Sequence, residues 1–336
     1  MRKVIIFLII TFIIVLSVPK TFAESSSAQS AILMEKTSQR VLWEKNAHQK
    51  LPIASTTKIV TALTVLKNCD NLEKVVKINK RAVGIEGSSI YLRENESYTV
   101  KQLLYGLMLQ SGNDCAVQLA LTVGGSVENF AKLMNETAQN CGAYESNFVN
   151  PHGLHNENHY STAYDLAKIA SVSLQNETFS QIVKSKVAEV SLDNPHKIYN
   201  KNKLLKNWEF ADGVKTGFTK KAGRCFVGSA TKNNMQLVAV VLNCGPMFEE
   251  SQRLMTYGFE NWSLETIVPK NKLCGSRYST KREYFICQNS FSYPLTQKEM
   301  NSISKEIVLP NDNQDGVLNV YLGKHLIFSQ KLVTLE

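Results

Sequence analysis

The chain has 336 residues, a length typical of about two domains. Hydrophobic residues make up 43% and charged residues 20% of the sequence, a balance that excludes disordered, collagen-like and low-complexity proteins. The net charge is +9 at pH 7. No basic run is interleaved with aromatic residues, however, so we do not expect a nucleic-acid partner.

The first 23 residues have the pattern of a secretory signal peptide. Arg2 and Lys3 supply a positive start, residues 4–18 carry no charge, and Ala23 completes the small-residue pattern that precedes a cut. The uncharged run is shorter than the roughly 20 residues that a membrane-spanning helix needs. We therefore expect cleavage after Ala23 and export of the remaining chain, the alternative being an uncleaved membrane anchor.

Export permits disulfides, and the chain contains seven cysteines. The number is odd, no C-x-x-C pair occurs, and a chain of this size does not depend on cross-links to fold. We interpret most of the cysteines as small buried hydrophobic residues. Cys274 and Cys287 are the one pair that merits a test for a bridge.

The first half of the chain alternates between short strands and helices. Strands are predicted at residues 30–34 and 40–44. Ser55 opens a helix that continues past Leu66 and is apolar on most faces, so it should be buried. The features that follow are a helix capped by Thr99, helices around Leu119 and Phe130, a loop over residues 142–160 and a helix capped by Thr162.

The pattern changes from about residue 210. Two strands are predicted at residues 225–230 and 236–242, joined by a hairpin loop, and a final helix at residues 249–262. Beyond it the apolar runs are short and typical of strands: residues 267–268, 307–309, 316–322 and 326–332. The sequence therefore predicts a mixed α/β body followed by a small all-β domain, with the division near residue 263.

The first motif whose residue types could support catalysis is S-x-x-K, formed by Ser55 and Lys58. Residues three apart lie on the same face of a helix, so the Lys58 amine can reach the Ser55 hydroxyl. Burial, or a second cation nearby, would lower the pKa of the amine and let it act as a base. Alone the motif is weak, because an N-terminal serine and an exposed lysine are common on helices.

Two further motifs are uninformative when each is taken alone. Ser111 and Asn113 form S-x-N, which offers a hydroxyl and an amide for a substrate but also suits a plain turn between helices. Lys215, Thr216 and Gly217 form K-T-G immediately before a predicted strand, where a glycine permits close approach of a ligand.

Together, the three motifs in this order in an exported chain form a specific signature. The sequence resembles the penicillin-binding, active-site serine proteins, and within them the low-molecular-mass D-alanyl-D-alanine carboxypeptidases. The resemblance extends over roughly residues 30–336. It is carried by residues 53–58 (IASTTK), 86–92 (EGSSIYL), 111–114 (SGND), 150–154 (NPHGL), 159–163 (HYSTA) and 212–219 (DGVKTGFT).

The resemblance implies an α/β (α+β) fold of the penicillin-binding/β-lactamase-like kind. Residues 24–262 would form the serine peptidase domain, with an antiparallel sheet flanked by helices, and residues 263–336 the C-terminal β domain. The implied reaction removes the terminal D-alanine from peptidoglycan stem pentapeptides. β-Lactam antibiotics would be covalent inhibitors, and no metal or organic cofactor is implied.

The resemblance also implies a role for each matching residue. Ser55 would be the acylated nucleophile and Lys58 its general base, and Ser111 would relay the proton to the leaving D-alanine. Substrate binding would fall to Asn113, Lys215, Thr216, Gly217 and Phe218, with the backbone amides of Ser55 and Phe218 forming the oxyanion hole.

One position departs from the pattern of many relatives, in which an arginine on the strand after K-T-G helps to bind the substrate carboxylate. Gln236 stands in the matching stretch here, so carboxylate recognition would rest more on Lys215 and Thr216. His152, His155 and His159 have spacings that could suit a metal. We interpret them as ordinary loop residues, because no cluster of acidic or cysteine ligands accompanies them.

Three alternatives share these motifs. A serine β-lactamase would need a glutamate that positions water; Glu145 and Glu157 lie in the right loop but in the wrong sequence setting. A DD-endopeptidase would cut cross-links instead of the terminal residue. A catalytically inactive wall-binding protein would keep only the fold. The C-terminus alternates like a strand and lacks an amphipathic helix, so we expect an extracytoplasmic protein that is soluble or peripheral to the membrane or cell wall.

Overall fold

The computed structural model describes residues 26–278, 282–310 and 315–335. The predicted signal peptide, residues 1–23, lies outside them. Among the described residues, every helix is too short or too polar to cross a bilayer. The helices are α1 (Lys58–Asn68), α2 (Val100–Leu109), α3 (Asn113–Gly124), α4 (Val127–Asn140), α5 (Ala163–Ser173), α6 (Glu177–Lys184), α7 (Leu204–Asn207) and α8 (Met247–Asn261).

In the described residues before the C-terminal region there are nine strands, and five of them form the central sheet. They are β1 (Ser30–Glu35), β2 (Val41–Lys45), β3 (Val75–Lys77), β4 (Ser97–Thr99), β5 (Val187–Val190), β6 (His196–Tyr199), β7 (Ala211–Thr219), β8 (Gly223–Lys232) and β9 (Met235–Leu242). The central sheet has the order β2-β1-β9-β8-β7, and every pair in it is antiparallel. The strands β3 and β4 form one small ribbon, and β5 and β6 another.

The alternation of side chains along β1 explains why both faces of this sheet are covered. Ile32 and Met34 point into a core that they share with α1 to α6. Leu33 points to the opposite face, where Leu254 and Met255 of α8 cover it. The predicted mixed fold, an antiparallel sheet flanked by helices, is confirmed.

Helix starts and turns follow local chemistry. Thr99 and Gln102 form the expected capping box at α2, and the Thr162 side chain caps α5. Asn233 and Asn234, both with positive φ, make a two-residue turn between β8 and β9, which is shorter than the predicted loop.

The largest correction concerns the K-T-G segment. Lys215, Thr216 and Gly217 lie inside strand β7 and not before a strand. β7 is the edge of the central sheet, paired only with β8 among the described strands. Its sequence, ADGVKTGFT, has two glycines and no regular apolar alternation, so the period-2 signal of a strand is absent.

The C-terminal region is built from three small antiparallel sheets, β10-β13, β11-β12-β17 and β14-β15-β16. Its strands are β10 (Ser263–Val268), β11 (Lys272–Tyr278), β12 (Arg282–Cys287), β13 (Phe291–Leu295), β14 (Ile303–Val308), β15 (Val317–Leu322), β16 (His325–Lys331) and β17 (Val333–Leu335). Four of these, β11, β12, β13 and β17, were not predicted, because their exposed sides interrupt the apolar pattern.

This region has a core of its own, which includes Ile267, Leu295 and Val320. An ion pair between Arg40 and Glu299 joins it to the sheet-bearing part of the chain. All seven cysteines are free, including the candidate pair, and five of the seven are buried.

Candidate active site

The first element of the site is the tight turn that precedes α1. Ala54–Thr57 form a single 3-10 turn, and Lys58 is the first residue of α1. The Lys58 Nζ lies 3.0 Å from Ser55 Oγ, 2.7 Å from Asn113 Oδ1 and 2.6 Å from the His152 carbonyl oxygen. A neutral amine has two N–H bonds and one lone pair, so it donates to the two oxygens that can only accept. The lone pair then faces the Ser55 hydroxyl.

The surroundings of Lys58 favour this neutral form. Its side chain is completely buried. Burial is the main reason that its pKa lies well below the ordinary value for lysine, and the positive charge of Lys215 lowers this pKa further. The site therefore holds a base in place beside the serine.

The residue after the S-x-N motif, Asp114, fixes the neighbouring loop through its carboxylate. Asn113 Nδ2 donates to the Glu86 carbonyl at 2.6 Å. The buried Asp114 carboxylate accepts hydrogen bonds from Ser89 Oγ and from backbone amides of the segment 86–92. Sequence reasoning gave Asp114 no role, although its place directly after S-x-N was a signal. This network fixes the segment 86–92 against the amide that contacts Lys58.

The second wall of the site is strand β7. A Cβ atom on Gly217 would lie 3.1 Å from the Ile53 carbonyl and from the amides of Ser55 and Thr56, which is tighter than an ordinary contact. Only glycine lets the strand come this close to the turn. Lys215 is 2% exposed and donates to the Thr216 carbonyl at 3.0 Å. Burial, and to a smaller degree the charge of Lys201, lower its pKa to about 7.

These elements enclose one cleft of about 410 Å³. Lys58, Asn113 and Lys215 are buried and do not line it, but they are linked to its lining residues through the contacts with Ser55 and Thr216. The Phe218 side chain is mostly exposed at the rim. The structure therefore brings together all eight residues singled out in the sequence. The cleft is lined by Ser55, Ser88, Ser111, Lys201, Lys203, Thr216, Gly217, Phe218, Arg224, Met247 and Phe248.

Two of the non-glycine residues with positive φ lie at the two motif serines of the cleft. Ala54, directly before Ser55, has φ +49°, and Ser111 itself has φ +63°. Residues with a Cβ atom seldom adopt this left-handed region, and such strain persists where the surrounding structure enforces it. Both strained residues flank the cleft, so the packing around them fixes the direction of the two hydroxyl-bearing segments.

The expectation for Gln236 is corrected in one respect. Its side chain does not line the cleft; Gln236 Nε2 donates to Asp212 Oδ2 at 3.0 Å. Three other cations line the cleft instead, namely Lys201, Lys203 and Arg224, and no acidic side chain is among the cleft-lining residues of the described chain. Sequence reasoning missed these cations because Lys201 and Lys203 lie in one segment and Arg224 in another, both away from the motifs.

The three histidines of the 150–159 region have different partners. The His152 carbonyl binds Lys58, the exposed His155 pairs with Glu157 at 2.9 Å, and the buried His159 lies 2.8 Å from Thr57 Oγ1. Glu145, the other acid of this loop, pairs with His48. Neither glutamate lines the cleft. Within the described ranges, no group of three or more His, Cys, Asp or Glu side chains could hold a metal ion.

The sequence profile of the D-alanyl-D-alanine carboxypeptidase family (Peptidase_S11) matches residues 17–245. The chain belongs to this family. The D-alanyl-D-alanine carboxypeptidase DacF of Bacillus subtilis is 31% identical over 335 residues, which cover 93% of this chain and 86% of the relative. The carboxypeptidase DacC of Escherichia coli is 36% identical over 74% of this chain and 64% of its own length.

Solved structures of this carboxypeptidase fold agree with the sequence relatives. Penicillin binding protein 5 from Haemophilus influenzae superposes with a TM-score of 0.79 at 28% identity, over 93% of this chain and 97% of that chain. Penicillin binding protein 6B from Escherichia coli gives a TM-score of 0.76 at 25% identity, with the same two coverages. Because both matches extend over more than nine tenths of the chain, they include the β-rich C-terminal region.

Proposed function

We propose that this chain is a serine-type D-Ala-D-Ala carboxypeptidase that acts through an acyl-enzyme on Ser55. The observation that carries the proposal is the buried Lys58 amine, whose Nζ lies 3.0 Å from Ser55 Oγ while Asn113 Oδ1 and the His152 carbonyl accept its hydrogen bonds. Membership of the carboxypeptidase family supplies the substrate class. Stem peptides of peptidoglycan that end in D-Ala-D-Ala are the proposed substrates.

Acylation begins when the Ser55 oxygen attacks the carbonyl carbon of the penultimate D-alanine and its proton passes to Lys58. The negative charge that develops on the carbonyl oxygen is stabilised by the backbone amides of Ser55 and Phe218. The C–N bond then breaks, and the leaving D-alanine nitrogen takes the proton that Lys58 received from Ser55, relayed through the Ser111 hydroxyl, so that Lys58 is neutral again. Support for this division of roles is the position of Ser55 and Ser111 in one cleft.

Deacylation is the same sequence with water in place of the serine. Water attacks the ester carbonyl, its proton passes to the neutral Lys58, and the Ser55 oxygen recovers a proton as it leaves. Splitting hydrolysis into two steps through a covalent ester lowers the barrier of each. A β-lactam ring would acylate Ser55 in the same way, because its strained amide is opened by the same attack.

The terminal carboxylate of the substrate is assigned to the cationic end of the cleft. We propose Thr216 and Lys215 as its first contacts and Arg224 as the additional guanidinium. Arg224 pairs across the β7–β8 ladder with Phe218, so it stands next to the proposed oxyanion hole. A guanidinium matches a carboxylate with two parallel hydrogen bonds.

We propose a division of the chain into a signal peptide (1–23), a catalytic domain (24–262) and a C-terminal β domain (263–336). The separate hydrophobic core of the last part supports the boundary after α8. The leader pattern and the family's cell-wall substrate support action outside the cytoplasm, with peripheral attachment to membrane or wall as the proposed location.

The test is D-alanine release from diacetyl-Lys-D-Ala-D-Ala by the purified full-length protein, beside its Ser55→Ala variant and labelling by a fluorescent penicillin. We expect release and a long-lived penicillin adduct, and we expect Ser55→Ala to abolish both. Labelling without release, together with cleavage of cross-linked muropeptides, would favour a DD-endopeptidase. Rapid penicillin turnover would favour a β-lactamase. A folded protein with neither activity would be a wall-binding protein.

A further inference from the structure

The buried imidazole of His159 makes two hydrogen bonds that fix its tautomer. The backbone amide of Val149 donates to Nδ1 at 3.2 Å, so Nδ1 carries no proton. The Thr57 hydroxyl donates its one proton to the Ala54 carbonyl at 2.8 Å. The 2.8 Å contact between Thr57 Oγ1 and His159 Nε2 must therefore run from the imidazole to the hydroxyl. His159 is a neutral donor.

The hydrogen bonds that run from His159 through the Thr57 hydroxyl end on Ala54, the residue directly before Ser55. Ala54 is held at φ +49°, and its carbonyl accepts from Thr57. Gly153 packs on the same carbonyl so closely that a Cβ atom there would lie 2.0 Å from the Ala54 oxygen. The left-handed conformation of Ala54 decides the direction in which Ser55 leaves the turn. The groups that contact the Ala54 carbonyl here come from Thr57 and from the 149–159 segment.

We propose that His159 is a positioning residue for the nucleophile, acting through the Thr57 hydroxyl to hold the Ala54 turn that points Ser55 Oγ at Lys58. The inference rests on the proposed role of Ser55 and adds a residue that touches no substrate. His159 also closes the ends of its own loop through Val149. That loop carries the His152 carbonyl that accepts from Lys58, so one imidazole supports both sides of the Ser55–Lys58 contact.

The environment keeps His159 in the form that this role needs. It is 3% exposed, and Phe148 packs edge-on against its ring. Burial is the main cause that lowers its pKa to about 4, with smaller contributions from the charges of His155 and Lys58. The imidazole is therefore an uncharged donor across the neutral range.

The test compares two amide replacements of different reach. Glutamine carries its amide nitrogen about as far out as imidazole Nε2 and can still donate to Thr57, whereas asparagine reaches only as far as Nδ1. We expect His159→Asn and Thr57→Val to slow acylation by fluorescent penicillin by about 10-fold or more, and to lower kcat with KM within about threefold, since small displacements of a nucleophile have such effects. We expect His159→Gln to remain within about threefold of the unmodified protein.

A matched control is available in α1, the helix that directly follows the Ser55 turn. Thr64 is equally buried and donates to the Val60 carbonyl at 2.8 Å, away from the turn. Thr64→Val should leave acylation unchanged, and thermal unfolding should show that every variant is folded. The double variant His159→Asn/Thr57→Val should be no slower than the slower single variant, because both act along one path.

The proposal is overturned by normal acylation in Thr57→Val or His159→Asn, by His159→Gln as slow as His159→Asn, or by independent effects in the double variant. Should His159→Asn fail to fold, Thr57→Val compared with Thr57→Ser, which keeps the hydroxyl, decides the question. Persistent labelling of Ser55→Ala would instead overturn the proposed function. The two failures are therefore distinct.

Discussion

The positive charge of Lys215 acts on the buried amine of Lys58 and lowers its pKa, in addition to the larger effect of burial. The two side chains are 2% and 0% exposed, respectively. Two like charges in one water-poor site repel strongly, so protonating one makes protonation of the other costlier. The pair therefore keeps a base available at a pH where a solvent-exposed lysine would be charged.

Replacing Lys215 by Met should move the pH dependence of acylation. Without the second cation the pKa of Lys58 rises, so the pH at which penicillin acylation reaches half its maximum should increase. The acylation rate constant measured from pH 4 to 9 checks this. Lys232→Met is the control, because Lys232 is exposed and is the last residue of β8. An unchanged or lower midpoint would contradict the coupling.

The same substitution should raise thermal stability while it impairs catalysis. In the folded chain the pKa of Lys215 is about 7, whereas an unfolded lysine titrates near 10.4. Between these values the unfolded state binds more protons, so the stability of the unmodified protein falls as pH decreases. Lys215→Met removes this effect.

We expect the Tm of Lys215→Met to exceed that of the unmodified protein by about 3 °C or more at pH 7 and by much less near pH 10.5. Calorimetry at the two pH values tests this. A gain of equal size at both values would mean that the lysine charge is not its cause.

Gly217→Ala should inactivate the enzyme without unfolding it. The added methyl would press on the backbone of the Ser55 turn at 3.1 Å and push β7 away from it. We expect the acylation rate to fall by about 10-fold or more. The backbone amides of Ser55 and Phe218, the proposed oxyanion hole, would then be too far apart to bind the same carbonyl oxygen. Gly245→Ala is the control, since a Cβ atom there meets nothing within 4 Å. Equal activity of both variants would refute the close-approach argument.

Arg224→Gln should weaken binding of substrates that end in a free carboxylate. We expect kcat/KM for an acyl-D-Ala-D-Ala peptide to fall by about 10-fold through KM, the loss of one charged hydrogen-bonded contact. The C-terminal amide of the same peptide should react with the variant and the unmodified protein at similar rates. Lys232→Gln removes a cation from the other end of the same strand and serves as the control. A loss that is equal for acid and amide would assign Arg224 a structural role.

The proximity of the motif residues could be predicted because the spacing within each motif reports local geometry. Lys58 follows Ser55 by three positions, and this spacing decides their contact once a helix is present. The second and third motifs became informative only in combination, and family resemblance supplied their roles. The family resemblance likewise implied that helices cover both faces of the central sheet, and the structure confirms this.

The remaining features depend on contacts between distant segments. Thr57 and His159 are 102 positions apart, and the local sequence around each residue does not predict their hydrogen bond. Gln236 matched an arginine by position, but Asp212 holds its side chain. Strand β7 escaped prediction because its register is fixed by pairing with β8 and not by its own pattern.

Strand β7 ends the central sheet, and an uncovered edge strand is a template for pairing with another copy of the chain. A lysine that points inward from such a strand is one of the devices that prevent this pairing. Lys215 occupies that kind of position, and Lys201 and Lys203 stand near it in the cleft wall. We therefore expect the residue that lowers the pKa of Lys58 also to disfavour pairing of β7 with a second copy of the chain. A more thermostable Lys215→Met protein would accordingly aggregate sooner when concentrated.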